Sequence, residues 1–164
     1  MILPIVKYPN KVLRAKGKDV KFPVSVSTRK LIKDMVDTVR KAKGIGLAAP
    51  QIGQSLNIII VDLEHAGMPI FALLNPKVIS TSKRNTKMEE GCLSLPGIYG
   101  IVSRPQKITI SGYTLEGKKV EFEADGLLSK VLQHETDHVN GVLIIDKITK
   151  YTEGHDLIGE KPQI

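Results

Sequence analysis

The hexapeptide Gln133-His134-Glu135-Thr136-Asp137-His138 constrains this chain more than any other stretch, because it contains His-Glu-x-x-His. On a helix, His134 and His138 lie one turn apart, so both imidazoles project from one face and can hold a single metal ion. Glu135 falls about 100° further round, close enough to act on water at that metal without being a ligand. Metal-assisted hydrolysis needs this division of labour: neutral nitrogen ligands, an open coordination position and an adjacent carboxylate base. The flanks predict the helix itself. Asp125 stands at its N-cap, apolar residues follow at Leu127, Leu128, Val131 and Leu132, and Gly141 is placed to end it.

Two histidines leave a catalytic site one protein ligand short. A His-Glu-x-x-His-x-x-Gly-x-x-His pattern has its glycine at Gly141, but Ile144 stands where the third histidine belongs. Glu160, the nearest downstream glutamate, lies in a polar stretch with no helical pattern to present it. His65 and His155 occur in loop-like surroundings that suit solvated side chains. Cys92, the one cysteine, remains. A lone cysteine is ordinarily a small buried apolar residue. Here Gly91 and Pro96-Gly97 frame it in a segment without periodicity, which reads as a shaped loop, and a thiolate with two imidazoles gives three ligands and one open position.

Three segments occur in order: Gly44-Ile45-Gly46-Leu47-Ala48-Ala49-Pro50-Gln51-Ile52-Gly53, Glu90-Gly91-Cys92-Leu93-Ser94-Leu95-Pro96 and Gln133 to His138. Together they resemble the signature motifs of bacterial peptide deformylases. Smaller echoes run through Tyr8-Pro9, Asn75-Pro76, Arg104-Pro105 and Glu123 to Leu128, so the resemblance covers about residues 1–148. It implies a metal-dependent hydrolase that removes the N-formyl group from the terminal formylmethionine of nascent polypeptides and releases formate.

Carried onto this sequence, the resemblance makes Cys92, His134 and His138 the metal ligands and Glu135 the base. The Gln51 side-chain amide and the Leu93 backbone N–H become donors to the developing oxyanion. It implies Fe2+ as the bound ion, with Ni2+, Co2+ or Zn2+ able to replace it. A methionine pocket is expected from Ile45, Glu90, Leu127, the stem of Lys130, Val131 and His134. Gly44 and Gly46 read either as a helix stop and a turn, or as backbone that an extended peptide approaches closely, with Gly46 pairing to it like a strand. Asp137 and Arg104 read as a supporting ion pair for the metal helix. Two other readings stand beside this one: a zinc endopeptidase, and a non-catalytic protein with a structural metal site. The latter needs a fourth protein ligand that the sequence does not offer.

A chain of 164 residues with 41% hydrophobic content is long enough for one core. No apolar run approaches the ~18 residues of a membrane helix, and the matching sequence starts almost at Met1, so neither membrane span nor leader is expected. One cysteine excludes an internal disulfide and fits the reducing cytoplasm. A net charge of +7 invites a nucleic-acid reading, but the basic residues are scattered, aromatics are 4% and tryptophan is absent. Solvated lysines are therefore expected, with no specific nucleic-acid recognition and a transient ribosome contact as the limit. The expected partner is the formylmethionyl peptide, and the expected state a monomer.

Helical periodicity over Leu31, Ile32, Met35, Val36 and Val39 predicts a first helix, capped by Ser27 or Thr28 and stopped at Gly44. Leu56–Val61 reads as a buried strand, with further strands near 70–74, 77–81, 107–114 and 118–124, the last two joined through Leu115-Glu116-Gly117-Lys118. Strands followed by a helix, without alternation, predict an α+β fold. The expected organisation is one compact domain over 1–148, with mixed or antiparallel strands around a central metal-binding helix. Residues 149–164 read as a short polar tail.

Overall fold

The computed structural model describes residues 1–158. Helix α1 (Val26–Ala42) is followed by strands β1 (Gly46–Ala48), β2 (Ile58–Val61), β3 (Phe71–Thr81), β4 (Asn85–Cys92), β5 (Leu95–Pro105), β6 (Lys107–Tyr113) and β7 (Lys119–Asp125). Helix α2 (Gly126–Val139) and strand β8 (Ile148–Glu153) complete it. One sheet has the order β1-β2-β3-β6-β7 and a second the order β4-β5-β8, with every strand pair antiparallel. The α+β expectation holds.

The run Ile58-Ile59-Ile60-Val61 is apolar throughout because both faces of β2 are covered. Ile58 and Ile60 join Ile32, Met35 and Val39 of α1, while Ile59 and Val61 join Val131, Leu132 and Val139 of α2. Alternation along one strand therefore sets the two helices on opposite sides of the large sheet. All four β2 residues are at most 1% exposed, so α2 is anchored on a wall with little freedom to shift. No helix among the described residues is long and apolar enough to cross a membrane.

Several local expectations change. Ser25 caps α1, its hydroxyl accepting the Thr28 N–H, and the left-handed residue at the helix end is Lys43 (φ 56°), not Gly44. The Asn75-Pro76 pair does not separate two strands. β3 runs through it with a register shift between Leu74 and Lys77, and Asn75 (φ 51°) bonds the N–H and C=O of Val20 through its side chain. Asp125 holds the N-cap position of α2 without a capping side-chain bond. Gly141 does follow the helix end, with φ 76°.

The loop expected around Cys92 is a hairpin. β4 and β5 pair from Asn85–Pro105 to Cys92–Leu95, closing on Leu93-Ser94 with an irregularity at Gly91/Cys92. The expected polar tail is likewise structured in its first part. Residues Ile148–Glu153 pair with β5, and Ile148, Tyr151 and Ile158 pack with Leu13, Leu95, Ile98, Leu143 and Ile144. The stretch reads as polar because β8 is an edge strand in which only Ile148 and Tyr151 are partly buried. Glu160 lies outside the described residues. A chain stopped at Lys147 is expected to lose at least about 2 kcal/mol of stability, since burying one aliphatic side chain such as Ile158 is worth about 1.5–3 kcal/mol. An unchanged urea midpoint would show that β8 contributes nothing.

Candidate metal and active site

Cys92 at the end of β4 and two histidines on α2 converge. One ligand atom from each of Cys92, His134 and His138 lies within 4.8 Å of the others. Cys92 Sγ is 3.2 Å from His138 Nε2. His134 Nδ1 is 3.0 Å from Glu90 Oε1, which fixes that nitrogen as the hydrogen-bond donor and leaves Nε2 free to ligate.

Glu90 is itself held. Arg104 reaches it through Nε at 2.7 Å and Nη2 at 3.0 Å, and both side chains are nearly inaccessible (1% and 4% exposed). The third arm of Arg104 bonds Asp137 at 2.8 Å, and Lys147 approaches the same carboxylate at 3.0 Å. The Asp137–Arg104 pair expected from the sequence is thus present, as one part of a larger arrangement. Burial alone would raise the Glu90 carboxyl, but its bonds to His134 and Arg104 prevail and hold it at about 2. At His134 burial opposes protonation, yet Cys92 and Glu90 outweigh it and lift the imidazole to about 10. Burial drives His138 well below its ordinary value, with the charges of His134 and Arg104 adding to it.

Glu135 is 2% exposed, and its Oε1 has no hydrogen-bond partner. Burial pushes its carboxyl up to about 7, against the pull of His134 and Arg104. Gly46 makes room for it: a β-carbon there would stand 2.5 Å from Glu135 Oε2. Gln51 is equally fixed. Its Oε1 accepts the Ala48 N–H at 2.9 Å, so its amide nitrogen is the end that faces Ser94 Oγ (3.3 Å) and Cys92 Sγ (3.6 Å).

The donor set suits a divalent cation: a thiol and two imidazoles in mutual reach, acidic groups around one imidazole, and an unpartnered buried carboxylate oxygen among them. A cleft of about 580 Å³ opens onto these groups. Ile45, Gly46, Glu90, Lys130, Val131 and His134 line it, and so do Gln51, Cys92, Leu93 and Glu135. Leu127 does not. It packs against the core beside Val131 and Leu132, because the residue one turn before Val131 already faces the large sheet. Glu90 borders the cleft but is committed to Arg104 and His134. Lys7, Lys43 and Tyr99 also line the cleft and Ser94 supports it from behind; no motif spacing pointed to them. Tyr99 lies against Gly91, where any side chain would strike its ring.

The family model for polypeptide deformylase matches residues 2–153. A peptide deformylase of Halothermothrix orenii is 45% identical over 93% of this chain and 97% of its own length. A class I type b peptide deformylase from Acinetobacter baumannii superposes with a TM-score of 0.87 at 32% identity, covering 90% of this chain and 99% of the other. A further structure of that enzyme, described as bound to Met-Ala-Ser, superposes at 0.85 with 30% identity over 90% and 99%. With three side chains that could hold a metal ion, a buried carboxylate and this degree of likeness along nearly its whole length, the chain belongs to the polypeptide deformylase family.

Proposed function

We propose that the cleft at Cys92, His134 and His138 is where this chain performs the reaction of its family, hydrolysis of the N-formyl group from the terminal formylmethionine of nascent polypeptides. The observation that carries this reading is the unpartnered carboxylate of Glu135, buried beside three potential metal ligands at the end of an open cleft. A structural metal site has no use for a buried base, and among the described residues no fourth ligand joins the three.

Cys92, His134 and His138 would hold the ion, with His134 aimed by Glu90. A divalent cation bound there supplies Lewis acidity, lowering the pKa of water and polarising the formyl carbonyl. Glu135 takes the proton of the attacking water and delivers one to the departing amine, so water and the formamide become formate and a free amino terminus. The Gln51 amide, locked by Ala48, and the Leu93 N–H donate to the oxygen that gains charge. Lys7 bonds the Leu93 carbonyl at 3.1 Å and steadies that turn. Ile45, Val131 and the Lys130 stem form the apolar wall for the methionine side chain.

Fe2+ is the proposed ion, with Ni2+, Co2+ or Zn2+ as substitutes. Imidazole and thiolate accept all four, so the choice rests on the likeness to the family. A cytoplasmic monomer completes the reading, drawn to the ribosome no more strongly than a net charge of +7 provides.

The direct test is anaerobic purification with metal analysis, followed by formate release from formyl-Met peptides beside acetate release from acetyl-Met peptides. Formyl substrates should be strongly preferred, aerobic handling should inactivate the iron form, and nickel should protect it. Equal cleavage of both peptides would overturn the reading, while an air-stable, fully active zinc enzyme would overturn the iron assignment alone.

Glu135→Gln preserves shape and metal binding but removes the base, so kcat should fall about 10²–10⁴-fold. Gln51→Ala should cost about 10²–10³-fold, again with metal retained. Near-normal turnover in both variants would exclude the proposed chemistry.

Glu90→Gln keeps the volume beside His134 but loses the charge. Metal affinity, measured by chelator competition, should drop about 10–100-fold while the circular dichroism spectrum stays unchanged. Unaltered affinity would mean that Glu90 does not orient this ligand.

A further inference from the structure

Glu135 marks where the reacting end of a peptide sits, and the burial of β1 determines which way the remainder runs. Gly46 abuts Glu135, and the next residues, Leu47 and Ala48, are fully buried. The open edge therefore ends at Gly46 and continues only towards lower numbers, where Ile45 is 38% exposed and Lys43 is exposed. The Ile45 carbonyl accepts the Asp62 N–H at 2.8 Å. Because the peptide unit is planar and trans, the Gly46 N–H faces the opposite direction, towards the unpaired edge. β1 is the outermost strand of its sheet, so that edge is free to receive another strand. A substrate paired there places formylmethionine beside Gly46 and its later residues past Ile45 and Gly44. Lys43 lines the same cleft two residues before Ile45, so its ammonium is in reach of the residues that follow, the third and fourth among them.

Lys7, Lys43 and Lys130 line the cleft, and none of the three has an ion-pair partner among the described residues. Lys43 terminates α1 in the left-handed region (φ 56°) and has no ion-pair partner among the described residues. Lys7 lines the same cleft with its ammonium on the Leu93 carbonyl, also without an acid. The acids of the cleft are Glu89, Glu90 and Glu135. Glu90 is neutralised by Arg104 and Glu135 lies at the reacting end, while the exposed Glu89 accepts the Thr152 hydroxyl at 2.6 Å and keeps its charge. Lys130 donates to the Glu89 carbonyl and not to a carboxylate.

We propose that Lys43 is a specificity-determining residue which makes this enzyme select formyl peptides with an acidic side chain at the third or fourth position and disfavour those with a basic one. The inference rests on the deformylase reading and assigns a preference within it. Two unit charges about 7 Å apart in a water-like medium alter binding about threefold for each sign, so acidic and basic peptides should differ about five- to tenfold.

The experiment compares kcat/KM for three C-terminally amidated peptides, formyl-Met-Ala-Ala-Ala, formyl-Met-Ala-Asp-Asp and formyl-Met-Ala-Lys-Lys, at about 0.01 M and about 1 M salt. The Asp peptide should exceed the Lys peptide about five- to tenfold at low salt, chiefly through KM, and the difference should collapse at about 1 M. Lys43→Gln should flatten the preference and Lys43→Glu reverse it. Both variants keep a β-carbon at a position where lysine already adopts φ 56°, so they change the head group and not the backbone demand. A ratio within twofold at low salt, or an unaltered ratio in Lys43→Glu, overturns the proposal while neutral-peptide turnover leaves the underlying activity intact. Absence of turnover on all three peptides overturns both.

Discussion

The buried ion pair between Arg104 and Glu90 is the interaction on which the rest of the site depends. Glu90 lies on β4, Arg104 on β5, and the two groups they grip, His134 and Asp137, lie on α2. One guanidinium thus ties the small sheet to the helix that the large sheet carries. Cys92 follows Glu90 by two residues on β4, so its sulfur reaches the histidines only if Glu90 is anchored at this depth. Such a pair is a poor source of net stability, because two buried charges lose hydration that their attraction barely returns. Its value is geometric: removing either partner would strand the other charge and release the imidazole it aims. A hydrophobic replacement of equal volume would have nothing to offer the His134 N–H.

The same dependence explains which parts of the site were legible in the sequence. His134, Glu135 and His138 were, because helical spacing alone places two imidazoles on one face, and Leu132, Val131 and Val139 supply the apolar stripe that buries the helix. The buried strand at Ile58–Val61 was legible for a similar reason. The β4–β5 hairpin was not. Gly91, Pro96 and Gly97 interrupt the alternation of apolar residues, and two of them answer local demands: Gly91 admits the Tyr99 ring, and Gly97 adopts φ 78°. Residues chosen for close approach look like loop residues even when the backbone is a strand. Glu90 was readable only as a cleft residue, since its partners come from β5 and α2, 14 and 44 positions away. Leu127 was placed in the cleft by the family resemblance, but one turn before Val131 the helix packs against the core of the large sheet. The stretch after 148 failed for a third reason: an edge strand needs only a few apolar contacts, so its composition resembles a tail.

Glycine and glutamate are coupled at the reacting end. Glu135 can be buried without a partner only because Gly46 has no side chain, and Gly46 can present its N–H to the cleft only because β1 is an edge strand. A larger residue at position 46 would strike Glu135, so the strand edge and the position of this carboxylate cannot be altered separately. The carboxyl raised to about 7 by burial is the electrostatic side of the same arrangement. A carboxylate buried away from water binds a proton more readily than its solvated counterpart. A general base works best with such an affinity near the operating pH, where it can both accept a proton from water and surrender one to an amine. The strand edge and the missing side chain thus adjoin the buried carboxylate, and burial at that point raises its proton affinity.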